Sequence, residues 1–267
     1  MLKIQKNQLQ VQKKQINNKT LNILRLDKLW DIPNSIIHNY KIREYDELIR
    51  KNPRGFYSAI ASAHSESDLI TIELAKLYDK KVVIYYTKKD TLETKYAGIE
   101  DVNFVYVGGR LSISKHMARK QFKRNYPDGY FVSAETLDND VFRSVSKDAS
   151  EWNFLTDKNI HINVGSGMTA LSILHGFLKT NIMPKNITCY QTGMDLLFDK
   201  YRSITGLFTL KVVKLPWEYQ DKIYEDDFNP IYDAKVIRYI KENDDIFNDN
   251  DYFLNIGSFE PQNKLYG

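Results

Sequence analysis

Residues 160–191 read IHINVGSGMTALSILHGFLKTNIMPKNITCYQ. The apolar, β-branched stretch Ile160–Val164 predicts a strand, and Met168–Lys179 carries apolar residues at helical spacing. Asn186–Gln191 returns to strand character. Strand, Gly/Ser turn, helix and second strand form one βαβ unit, which implies parallel strands and a right-handed crossover.

The alternation extends in both directions. Upstream, the pattern predicts strands over Phe56–Ala61, Lys81–Thr87, Asn103–Val107 and Gly129–Ser133, with helices over Asp68–Tyr78, Ser114–Lys123 and Asp138–Ser146. Downstream it predicts helix Met194–Tyr201, strand Leu210–Lys214, helix Ile231–Asn243 and strand Tyr252–Ile256. A short helix over Ile42–Lys51 is stopped by Asn52-Pro53 and Gly55. The fold class is therefore α/β with a mostly parallel sheet. The first twenty residues, rich in Lys, Gln and Asn, read as an irregular arm or a short edge hairpin.

The chain has 267 residues, 42% hydrophobic and 27% charged, which excludes a disordered chain and a disulfide scaffold. The single Cys189 cannot form an internal bridge, and this fits a reducing compartment. No apolar run approaches the roughly 20 residues of a membrane helix. The opening MLKIQKNQLQVQKKQ has no apolar signal core, so a cytoplasmic location is expected. The net charge of +4 leaves a nucleic-acid partner open. Lys115, Arg119, Lys120, Lys123 and Arg124 lie on one predicted helix and would suit phosphate contacts, with a solvated helix face as the plain alternative.

Two strand-to-helix turns have the character of ligand sites. Gly165-Ser166-Gly167-Met168-Thr169 offers close backbone approach, two hydroxyls and the N–H groups of a helix start to a phosphate. It lacks the third glycine of a dinucleotide fingerprint and the Gly-Lys-Ser/Thr of a P-loop. A capped αβ turn is the plain alternative. The second turn places Ser65 and Ser67 around Glu66 at a helix start, where N-capping by a serine is the plain reading. The five histidines show no close metal-ligand spacing.

Four segments, in order, resemble pyridoxal-phosphate enzymes of the tryptophan-synthase-β type (fold type II), in the branch of aminocyclopropanecarboxylate deaminase and D-cysteine desulfhydrase. Tyr40-Lys41-Ile42-Arg43-Glu44-Tyr45-Asp46-Glu47-Leu48-Ile49 is similar to the segment whose lysine holds the cofactor as a Schiff base. Ser65-Glu66-Ser67 follows at the spacing of the substrate-binding serine loop, and Gly165–Thr169 resembles the phosphate cradle. Asn229-Pro230-Ile231-Tyr232-Asp233-Ala234-Lys235 resembles the segment that carries a tyrosine and an acidic residue near the end of the chain.

The resemblance implies two interleaved subdomains: residues 38–55 with 152–267 for the cofactor and 56–151 for the substrate loop, after an arm of residues 1–37. It implies pyridoxal 5'-phosphate as cofactor, a small-molecule amino acid as substrate, no membrane, and a homodimer. Lys41, Ser65 and Tyr232 would be catalytic, and Ser65, Glu66 and Ser67 would bind substrate. Lys41, Glu66, Gly165, Ser166, Gly167, Met168, Thr169 and Asp233 would bind the cofactor, with Asp233 set against its pyridine nitrogen. Desolvation and the cofactor are expected to lower the Lys41 pKa. The implied activity is that of a lyase or deaminase. The alternatives are a pyridoxal-phosphate enzyme acting on an amino-acid adduct of a nucleic-acid base, and a binding protein that keeps only the fold. Glu66 departs from the asparagine of the family loop, Asp233 is shorter than glutamate, and Ala234 replaces a glycine.

Overall fold

The strand–helix alternation folds into two sheets. The computed structural model describes residues 3–35, 37–52, 55–61, 66–88, 96, 98–108, 111–132, 139–192, 198, 201–219, 221–225 and 228–257. In spatial order, the larger sheet runs β11 (Leu210–Lys214), β10 (Asn186–Gln191), β9 (Asn159–Val164), β12 (Asp251–Asn255), β3 (Lys19–Arg25) and β2 (Val11–Ile16). All its pairings are parallel except β2 with β3. The smaller sheet runs β7 (Asn103–Tyr106), β6 (Lys81–Tyr86), β5 (Phe56–Ala61) and β8 (Tyr130–Phe131), all parallel. A separate antiparallel pair joins β1 (Gln5–Lys6) to β4 (Trp30–Asp31).

The first twenty residues open a hairpin, as one of the two readings had it. Asn17, at a φ of 52°, lies in the turn between β2 and β3. β3 goes deeper than an edge: Leu21, Ile23 and Leu24 are fully buried, and the strand lies parallel to β12, more than two hundred residues away.

Helices cover both faces of each sheet. α1 (Lys41–Lys51) and α2 (Ser67–Leu77) bury Ile42, Ile49, Ile70 and Leu74 against one face of the smaller sheet. α3 (Leu111–Asn125) covers the other face with Ala118 and Phe122. On the larger sheet, α5 (Met168–Lys179) buries Leu171, Leu174 and Phe177 on one face. α7 (Asp233–Glu242) buries Val236, Ile237 and Ile240 on the other. Each such buried Leu, Ile, Val or Phe side chain contributes about 1.5–3 kcal/mol of transfer free energy.

α4 (Asn139–Ala149) packs on both α1 and α5 and so joins the two layers. A Cβ at Gly176 of α5 would stand 2.4 Å from the Ser146 carbonyl of α4, so only glycine permits that crossing. The predicted helix Met194–Tyr201 lies almost wholly outside the described residues; α6 (Arg202–Thr205) follows it. Among the described residues no helix is long and apolar enough to cross a membrane.

Candidate active site

In open parallel sheets ligands sit beyond the strand C-termini, where the strand order reverses. In the larger sheet that reversal falls between β9 and β12. Gly165 follows β9 and Gly257 lies just past β12. In the smaller sheet the order reverses at β5, whose loop leads to Glu66 and α2.

Lys41 is the first residue of α1. Its N–H donates to Asn39 Oδ1 at 2.9 Å, an Asx turn that fixes the helix start while the Tyr40 side chain makes no cap bond. Lys41 Nζ lies 5.9 Å from the centre of the Tyr232 ring. A Cβ built on Gly165 would meet Tyr232 Cε1 at 4.0 Å, so the same ring borders the glycine turn. Desolvation pulls the Lys41 pKa down, as expected. Tyr232, Tyr45, Glu44 and Glu66 outweigh it, and the ammonium is held above its ordinary range. The expected lowering is thus reversed, because the chain surrounds this lysine with acids.

Glu66 is held from two sides. Asn39 Nδ2 donates to its Oε2 at 2.6 Å and Asn229 Nδ2 to its Oε1 at 3.1 Å. Each asparagine spends its side-chain carbonyl on a backbone N–H two residues ahead, of Lys41 and of Ile231. Gly257 ties the two together, since it forms a bridge with Asn39 and its carbonyl accepts the Asn229 N–H at 3.1 Å. Three sequence-distant segments therefore fix one carboxylate at the cleft. Ser67, the first residue of α2, is buried and hydrogen-bonds the Tyr45 hydroxyl.

Asp233 opens α7 and is 1% exposed. Its Oδ2 accepts the Gly257 N–H at 2.9 Å, whereas its buried Oδ1 has no hydrogen-bond partner. Burial, with the charges of Asp27 and Glu66, pushes this carboxyl up to about 8 against the pull of the backbone donors.

Gly167 has a φ of +88°, and a Cβ there would come within 2.7 Å of Phe198. The turn is therefore restricted to glycine on both conformational and steric grounds. Ser166, Met168 and Thr169 are half-buried along it. Thr169 Oγ1 donates to Glu44 Oε1 at 2.5 Å, linking α5 to α1.

The structure thus gathers Lys41, Glu66, Tyr232, Asp233 and the turn Gly165–Thr169 at one place. Ser65 lies outside the described residues. Arg43, part of the same motif as Lys41, serves packing: its guanidinium lies 4.7 Å from the centre of the Trp30 ring and pairs with Glu47 at 3.3 Å. The sequence reading missed Asn39, Glu44, Tyr45 and Gly257 and gave Asn229 no role. The signal was present for both asparagines: Asn39 stands two residues ahead of a helix start, where an Asn favours an Asx turn, and Asn229 directly precedes Pro230, a turn dipeptide.

No protein-family profile and no curated protein sequence matches this chain. Solved structures do. An ACC deaminase homologue superposes with a TM-score of 0.68 at 14% identity, over 93% of this chain and 89% of that one. Maize serine racemase gives 0.65 at 11% identity, over 98% and 92%. A pyridoxal 5'-phosphate-dependent aspartate racemase gives 0.61 at 11% identity, over 96% and 92%. The chain has the α/β architecture of fold type II pyridoxal-phosphate enzymes.

Proposed function

We propose that this chain is a pyridoxal-phosphate-dependent lyase or deaminase acting on an amino acid or close analogue, with Lys41 as the cofactor-bearing residue. The observation that carries the reading is the meeting of Lys41, Tyr232 and the Gly165 turn at the strand switch point.

The residues fit the cofactor. The orphaned Asp233 Oδ1 is a buried acceptor that a protonated ring nitrogen would satisfy, and pairing with that cation would offset the burial that raises the carboxyl. The backbone turn at Gly165–Gly167 with the Thr169 hydroxyl would hold the phosphate. When bound, the cofactor supplies a sink for the electron pair of a bond broken at the substrate α-carbon.

The remaining chemistry belongs to the chain. Lys41 must lose its proton to act as nucleophile and then carries a proton to or from the α-carbon. The acids around it hold that proton tightly, so a basic group or solvent must take it before the nitrogen can attack. Tyr232 places a hydroxyl-bearing ring beside Lys41, suited to steering that proton. Glu66, with Ser67 and Ser65, would orient the substrate, and a fixed carboxylate there favours a cationic group. Borohydride reduction of the cofactor-loaded protein followed by peptide mass mapping tests the reading. A pyridoxyl group on Lys41 is expected; its absence from Lys41 would sink the assignment.

A second reading places the reacting amine on a nucleic acid. It draws on α3, which carries Lys115, Arg119, Lys120, Lys123 and Arg124 and no acidic residue, more positive charge than the net +4 of the whole chain. Arg119, Lys120, Lys123 and Arg124 are exposed, with Ile113 and Met117 exposed beside them.

A further inference from the structure

Glu44 stands where the cofactor reading leaves it without a role. It is 8% exposed, its Oε1 accepts the Thr169 hydroxyl, and Thr169 is the second residue of α5. That is the turn whose unpaired N–H groups the reading assigns to a phosphate. A dianion held there would meet a buried carboxylate already using the Thr169 hydroxyl. Two anions sharing one donor in a poorly solvated cleft repel strongly.

The cation acting on Glu44 is Lys41 of the same helix. Bonded to the cofactor, the Lys41 nitrogen would keep at most one of its three N–H groups, so its hold on Glu44 would not grow to match an arriving dianion. Tyr40 and Tyr45 of α1 also feel Glu44. From the neighbouring elements, Tyr232 ahead of α7 and Glu66 ahead of α2 act on Lys41, and Asp148 of α4 acts on Tyr40. Arg43 of α1, a further cation, acts on Tyr40 but is committed to Glu47 and the Trp30 ring rather than to Glu44.

We propose that Glu44 is a proton-linked gate on the phosphate cradle, releasing the Thr169 hydroxyl to a phosphate when its own carboxyl takes up a proton. Burial already biases this carboxyl toward the neutral form. Glu44 is thereby a positioning residue, and cofactor uptake is coupled to one proton. The inference rests on the cofactor reading above.

Full-length protein is titrated with pyridoxal phosphate and with pyridoxal between about pH 7 and pH 8.5, where a free phosphate monoester is already dianionic. Pyridoxal shares the Lys41 step and lacks the phosphate, so the difference between the two slopes isolates the cradle. The phosphorylated ligand should lose up to about tenfold in affinity per pH unit relative to pyridoxal. Glu44→Gln should abolish that excess slope and tighten pyridoxal phosphate. Calorimetry of the unmodified protein in buffers of different ionisation heat should count about one more proton taken up with pyridoxal phosphate than with pyridoxal. Equal slopes with both ligands bound would overturn the gate and leave the cofactor reading standing. Failure of both proteins to bind pyridoxal phosphate at any pH would overturn both.

Discussion

Replacing Glu66 by alanine should destabilise the protein far more than an average cleft substitution. The side chain accepts one amide from Asn39 at 2.6 Å and one from Asn229 at 3.1 Å, and both asparagines are buried, 6% and 3% exposed. A hydrogen bond to a charged group contributes about 1.5–3 kcal/mol, and a buried donor left unsatisfied costs about 1–3 kcal/mol. Glu66 is only half-buried, so water entering the space vacated by Glu66→Ala would recover part of this. Relief of its repulsion toward Asp233 recovers a little more. The net expectation is a loss of about 2–4 kcal/mol. Glu66→Gln keeps one acceptor and turns its amide toward a second amide donor, so its loss should be about half as large. Urea unfolding followed by both circular dichroism and tryptophan fluorescence measures this, with an unchanged m-value as the sign that the denatured state is unaffected. A Glu66→Ala protein within about 0.5 kcal/mol of the parent would refute the two-sided grip as an energetic feature.

Gly167→Ala should cost about 2–4 kcal/mol, because it adds a Cβ at a φ of +88° and 2.7 Å from Phe198; thermal unfolding would show it. Asp251 accepts from Asn159 and the Asn248 N–H and faces His161, interactions that outweigh its burial and hold its carboxyl below the ordinary range. A depressed carboxylate stabilises the fold above its unfolded pKa and loses that contribution as pH falls through the folded one. The stability of the parent should therefore decline below roughly pH 4, and Asp251→Asn should flatten that limb. On the nucleic-acid reading, a Lys120→Glu, Lys123→Glu, Arg124→Glu triple variant should reduce the salt slope of DNA binding by about 0.9 for each phosphate it no longer neutralises, as anisotropy would register. A parent protein without salt-sensitive DNA binding would remove that reading.

The strand–helix alternation was legible because most elements carry their own signal. Phe56–Ala61, Met168–Lys179, Asn186–Gln191 and Leu210–Lys214 are each decided by a local pattern of β-branched or helically spaced residues. β3 was not, since Leu21 and Ile23 are buried with the α7 side chains on one face and Leu24 with the core of the other, beside a β12 partner that no local window contains. The site divided in the same way. Lys41, Tyr232, Asp233 and the Gly165 turn could be named from motifs. The grip of Asn39 and Asn229 on Glu66 joins positions up to 163 residues apart and is a property of the folded cleft. The direction of the Lys41 shift likewise depends on Tyr232 and Glu66 being brought beside it, which sequence order does not reveal, whereas Tyr45 and Glu44 stand one helical turn away on α1.

Whether Lys41 carries pyridoxal phosphate is decided by visible-absorbance titration of the purified full-length chain with that cofactor. A saturable yellow band is expected in the parent, and Lys41→Ala should abolish it while keeping the parent's circular dichroism. A parent that stays colourless and binds no cofactor, or a Lys41→Ala protein that develops the same band, would contradict the assignment.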